Sequence, residues 1–113
     1  MSRDYKLFLQ DILQAIGDIR AFTAGYSLET LINDKRTYHA ILRNIEVIGE
    51  AVKKLPDEIK DRHPEVEWKK IAGARDILIH HYFEINLRVV WDILQNKLPP
   101  LERQISRILQ SSK

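Results

Sequence analysis

The stretch YHAILRNIEVIGEAVKKLP, residues 38–56, decides the fold. Tyr38, Ile41, Leu42, Ile45, Ile48, Val52 and Leu55 recur at steps of three and four, which makes one apolar stripe on a long helix and not the alternating face of a strand. Pro56, which has no N–H to donate, stops that helix. Working outward, Tyr5, Leu9, Ile12, Ile16 and Ile19 form an earlier stripe whose helix is expected to end near Gly25, the residue that best tolerates the backbone beyond a helix end. Ser27 is placed to cap a short turn through Leu31. On the other side, PDEIKDRHPEVEW (56–68) is polar and bounded by Pro56 and Pro64, so it reads as a connection holding one helical turn. Trp68, Ile71, Ala72, Ile77 and Leu78 then begin another helix. Leu87, Val90, Trp91 and Leu94 mark the next, with Asn86 available to cap it. Pro99 and Pro100 interrupt that stripe before Leu101, Ile105, Ile108 and Leu109 form the last. The expectation is an all-α antiparallel bundle of about five helices, one domain spanning residues 1–113.

Composition narrows the function classes. Apolar residues are 44% and charged residues 30% of the chain, enough for a sizeable core and too apolar for a disordered chain. The absence of cysteine excludes a disulfide framework and a thiolate metal site. The start, MSRDYKLFLQD, lacks the unbroken apolar run of a signal peptide, and no stretch approaches the roughly 18 apolar residues of a membrane span. A soluble cytoplasmic protein is expected. Eighteen Lys and Arg against sixteen Asp and Glu leave a net charge of +2, which permits RNA binding without demanding it.

The residues with chemistry to offer lie in RDILIHHYFEIN, 75–86, where Arg75, His80 and Tyr82 stand as R-x-x-x-x-H-x-Y. A guanidinium can hold a phosphate through two parallel hydrogen bonds and stabilise charge that builds during displacement. An imidazole titrating near neutrality can take a proton from a ribose 2′-hydroxyl or give one to a leaving 5′-oxygen, typically worth about 10²–10⁴-fold in rate. Because the nucleophile belongs to the RNA, no metal or other cofactor is called for, the product is a 2′,3′-cyclic phosphate, and DNA is not cut by this route. At about 100° per residue, Arg75 and Tyr82 share a helix face while His80 points roughly 140° from Arg75. Either the helix bends or ends near His80, or two copies of the motif meet across a two-fold axis, and the dimer is the favoured alternative.

Taken singly, each of these residues has a plainer reading: Arg75 as a solvated charge, His80 as a core histidine, Tyr82 as packing. The complete pattern is what raises them above it. His81 falls outside the pattern. His39 and His63 are too scattered to make zinc binding with the adjacent pair a good reading. Lys69 and Lys70 form a basic cluster just ahead of the motif where phosphate contact is plausible, and Lys53 and Lys54 form another that reads as ordinary helix surface. Glu46 and Glu50, one turn apart, are candidates to orient Arg75 or a histidine from a facing helix, with solvent exposure about as good an account. Asp76 is given no role.

The string GARDILIHHYFEI (73–85) resembles the signature of the HEPN superfamily, in particular its HepT-like ribonuclease toxins. LRNIEVIGEAVKKLP (42–56), the tryptophan of VEWKKIAG (66–73) and VVWDIL (89–94) resemble the same family, so the likeness covers nearly the whole chain. The resemblance implies a HEPN-like helical bundle, a homodimer with its cleft at the interface, and metal-independent endoribonuclease activity. Arg75 and His80 match the catalytic positions, with Glu50, Lys69 and Lys70 as possible supporting residues. Tyr82 matches the tyrosine that a minimal nucleotidyltransferase antitoxin converts to O-AMP-tyrosine. Some HEPN proteins instead bind nucleotides or serve as non-catalytic partner subunits of a nucleotidyltransferase, which is the alternative reading.

Overall fold

The computed structural model describes residues 4–79 and 83–112, and within these the backbone alone at positions 75, 77, 79 and 83–85. Helix α1 spans Tyr5–Thr23, and the Asp4 carboxylate caps it by accepting from the Lys6 N–H at 3.0 Å. The chain turns through Gly25, whose φ of +77° is the left-handed conformation glycine adopts without a Cβ clash. Helix α2, Leu28–Ile32, is the short turn expected after Ser27, whose Oγ accepts from the Thr30 N–H. Helix α3, Lys35–Lys54, carries the stripe that opened the reading, with Leu55 extended ahead of Pro56. The polar connection holds a short helix α4, Asp57–Arg62. Helix α5 covers Trp68–Ile79 and helix α6 Phe83–Asp92. A single π-helical turn, Ile93–Lys97, leads from α6 into helix α7, Leu98–Ser111.

The five longer helices form an antiparallel bundle, and no strand occurs among the described residues. Helix α1 packs on α3 and α7, and α3 packs on α5. Leu9, Ile12, Ile16 and Ile19 from α1 meet Ile41, Ile45, Ile48 and Val52 from α3 in the core, which α6 completes with Leu87 and Val90 and α7 with Leu101, Ile105 and Ile108. Each such aliphatic side chain removed from water contributes about 1.5–3 kcal/mol before chain entropy is charged against it. An Arg20–Glu102 ion pair at 2.6 Å links the end of α1 to the start of α7 on the surface. Among the described residues no helix is long and apolar enough to cross a membrane.

Pro99 and Pro100 do not open a loop as their interruption of the stripe suggests. They sit in the first turn of α7, directly after the π turn, where each ring removes one N–H from helical backbone that is continuous with α6. The wider winding of the π turn before them takes up the displacement their rings impose. Asn86 also differs from expectation, since it lies one turn inside α6 and not at its N-terminal boundary.

Candidate ribonuclease site

Helix α5 carries the first motif residue, and its start is firmly seated. The Trp68 indole is 8% exposed, and its Nε1–H is shared between the carbonyls of His63 at 2.9 Å and Lys60 at 3.2 Å. That bond ties the end of α4 to the first turn of α5, which is why a tryptophan suits this place: an apolar body fills the core and one polar edge closes a turn. Lys69 and Lys70 follow on the surface. Lys70 pairs with Glu67 at 2.8 Å, and this hydrogen bond raises the lysine's pKa and lowers the glutamate's.

Helix α3 comes very close to the middle of α5. A Cβ built on Gly49 would lie 3.3 Å from the Ala72 carbonyl oxygen and 3.4 Å from that of Ile71, so glycine permits the approach. The two helices run antiparallel, since Val52 and Lys53 face a cavity with Trp68 and Lys69, whereas Ile45 faces another with Ala74. With Gly49 level with Ala72, Glu46 comes level with position 75. Glu46 is half-buried and lies 3.7 Å from Arg43, while Glu50 is exposed.

Of the motif, the backbone of Arg75 stands in the second half of α5, and its side chain lies outside the described residues, as do His80, His81 and Tyr82 entirely. The helix ends on either side are well anchored. Leu78 is buried, and so is Leu87 in α6. The Asn86 amide donates to the Leu78 carbonyl oxygen at 2.6 Å, satisfying an acceptor in the last turn of α5 and joining that turn to α6. The sequence suggests Asn86 as an acceptor capping the start of α6, whereas its amide donates to the end of α5. Nothing in the local sequence distinguishes the two.

An apolar groove of about 420 Å³ adjoins this region, lined by Ile71, Ala74, Val89, Ile93 and Leu98 and by the charged side chains of Glu65, Glu67, Lys70, Asp92 and Lys97. Its wall at Ala74 immediately precedes Arg75. The other histidines stand apart: His39 is near the start of α3 with its ring edge-on to Tyr38, and His63 follows α4 with Nδ1 3.4 Å from Glu65. Asp76 is exposed.

A bundle of this topology, with an arginine late in one helix and H-x-Y ahead of the next, defines a class of small all-helical proteins built around one inter-helix junction. The chain belongs to the HepT-like ribonuclease family, whose pattern, described as Ribonuclease HepT-like, matches residues 12–108. It is 44% identical over 108 residues to "Putative RNase MJ0127" of Methanocaldococcus jannaschii, covering 96% of this chain and 89% of that protein. It is 39% identical over 108 residues to "Probable ribonuclease HepT" of Thermococcus cleftensis, covering 96% of this chain and 98% of that protein. No solved structure matches the chain. These relationships support a ribonuclease.

Proposed function

We propose that the chain is a metal-independent endoribonuclease, the toxin of a toxin–antitoxin pair, with Arg75 and His80 as its catalytic residues. The observation that carries this reading is the intact R-x-x-x-x-H-x-Y pattern at 75–82 inside a family match that covers residues 12–108. Arg75 holds the scissile phosphate and offsets the charge that gathers on its oxygens. The ribose 2′-oxygen attacks phosphorus, its proton passes to a base, and the bond to the 5′-oxygen breaks as that oxygen takes up a proton. His80 serves one of these transfers, and the products are a 2′,3′-cyclic phosphate and a 5′-hydroxyl. Two chains form a homodimer in which two copies of the motif complete one cleft, an arrangement that the family resemblance implies.

In this reading a minimal nucleotidyltransferase antitoxin silences the enzyme by transferring AMP from ATP to the Tyr82 hydroxyl, releasing pyrophosphate. The added phosphate and nucleoside repel and obstruct the substrate backbone. Lys69 and Lys70 lend positive charge ahead of the motif, and Glu46 or Glu50 orients it from α3.

The test is cleavage of total cellular RNA by unmodified protein in the presence of EDTA, beside the His80→Ala and Arg75→Ala proteins, with end-group analysis of the fragments. The parent is expected to cut and leave 2′,3′-cyclic phosphate ends, and each variant to lose about 10²–10⁴-fold in rate. A parent that cuts nothing, or fragments ending in a 3′-hydroxyl, would overturn the mechanism.

A further inference from the structure

Helices α3, α4 and α5 enclose a second, shallower cavity of about 690 Å³ on the side of α5 where the helix begins. Four lysines line it, Lys53 from the end of α3, Lys60 from α4, and Lys69 and Lys70 from α5. Three carboxylates line it too, those of Asp57, Asp61 and Glu67, so the disposition of the charges decides its character. Lys60 lies 3.7 Å from Asp57 and Lys70 lies 2.8 Å from Glu67, which sets two cations against two anions. Lys53 and Lys69 are exposed and make no ion pair among the described residues. Against them stands Asp61 alone, so the basin carries a cationic surplus borne by two lysines from different helices. Its apolar lining includes Val52, Val66 and Trp68, all buried in the core, and low-dielectric walls of this kind focus the field of the charges above them.

We propose that this basin is a subsite for the phosphate backbone of single-stranded RNA, with Lys53 and Lys69 as its contacts. The proposal rests on the ribonuclease reading for its ligand and extends it to a site that the motif does not include. Lys69 precedes Arg75 by six residues on one helix, about 9 Å of axial rise and about 120° of turn, so a short strand has to follow the helix surface round from the basin to reach the motif. The two lysines belong to separate helices whose spacing is held by the Gly49 approach, so their separation is set by the fold and not by side-chain reach alone. Sequence reading treated Lys53 as ordinary helix surface because nothing local to α3 brings α5 beside it.

The experiment is a fluorescence anisotropy titration of a labelled, unstructured oligoribonucleotide with the His80→Ala protein over a series of KCl concentrations. Adding Lys53→Gln and Lys69→Gln together is expected to weaken binding several-fold at low salt. It is also expected to flatten the plot of log affinity against log salt by about 1.4, at about 0.7 for each phosphate contact on a single strand. A control with Arg36→Gln and Arg103→Gln removes the same charge from exposed positions outside the basin and is expected to keep the parental slope. All four positions are exposed, and thermal melts of each double variant check that it keeps its fold. An unchanged slope in the lysine pair, or an equal drop in both pairs, overturns the proposal. Cleavage by the unsubstituted protein is scored separately. Cutting without lysine dependence removes the basin and leaves the ribonuclease; lysine-dependent binding without cutting keeps the basin as an RNA site and removes the ribonuclease reading.

Discussion

Asp34 accepts three hydrogen bonds, from the Thr37 N–H at 3.0 Å, the Thr37 hydroxyl at 2.7 Å and the Tyr26 hydroxyl at 2.6 Å. The Tyr26 bond is the largest cause, followed by the Thr37 bonds, of a carboxyl pKa lowered to about 2. Because the folded value lies below the unfolded one, the contribution is fully present above about pH 4 and is lost as pH falls through the folded value. The parent is therefore expected to lose more of its thermal midpoint between about pH 5 and pH 2 than Asp34→Asn does, by several degrees, measured by circular dichroism. Equal losses would show that another group governs acid unfolding. Sequence reading passed over Asp34 because the apolar stripe it followed begins only at Tyr38, four residues beyond the cap. Arg75, His80 and Tyr82, in contrast, stand in the sequence as a set of chemical types at fixed spacing and are proposed on that ground, whereas the bond from Asn86 to Leu78 depends on two helices meeting and leaves no mark in spacing.

At the scale of elements, the stripes identified every long helix because each buries a face of recurring apolar residues, and burial enforces that period. The short helices α2 and α4 also fall where the sequence places them, but the passage from α6 to α7 runs through a π turn ahead of two prolines, which no stripe records. Glycine offers a direct test of helix approach. Gly17 lies inside α1, and a Cβ there meets nothing within 4 Å, so Gly17→Ala is expected to gain about 0.5–1 kcal/mol from reduced chain entropy. Gly49 has the carbonyls of Ile71 and Ala72 in the way, and backbone oxygens yield poorly, so Gly49→Val is expected to cost about 1–3 kcal/mol. Urea unfolding of both variants checks the pair. A stabilised Gly49→Val would mean that α3 and α5 separate at little cost.

For the molecule as a whole, the proposed dimer has a consequence that a single-chain site lacks. Arg75→Ala and His80→Ala proteins, each inactive alone, are expected to regain cleavage when unfolded together and refolded as a mixture. Random pairing makes about half of the dimers mixed, and each mixed dimer keeps one of its two symmetry-related Arg75–His80 pairs, so recovery can reach about a quarter of the parental rate. No recovery would place each complete site within one chain. The class and helix content of the bundle were legible from periodicity, while the convergence of Lys53 with Lys69 was not, because it is produced by the α3–α5 crossing at Gly49.

The hydrogen bond between Asn86 and the Leu78 carbonyl bears on how the chain can be altered. It closes a short circuit of peptide whose two ends are stapled by groups that take no part in the proposed chemistry. Substitutions at positions 80–82 are therefore expected to leave that bond, and the helix ends it joins, in place.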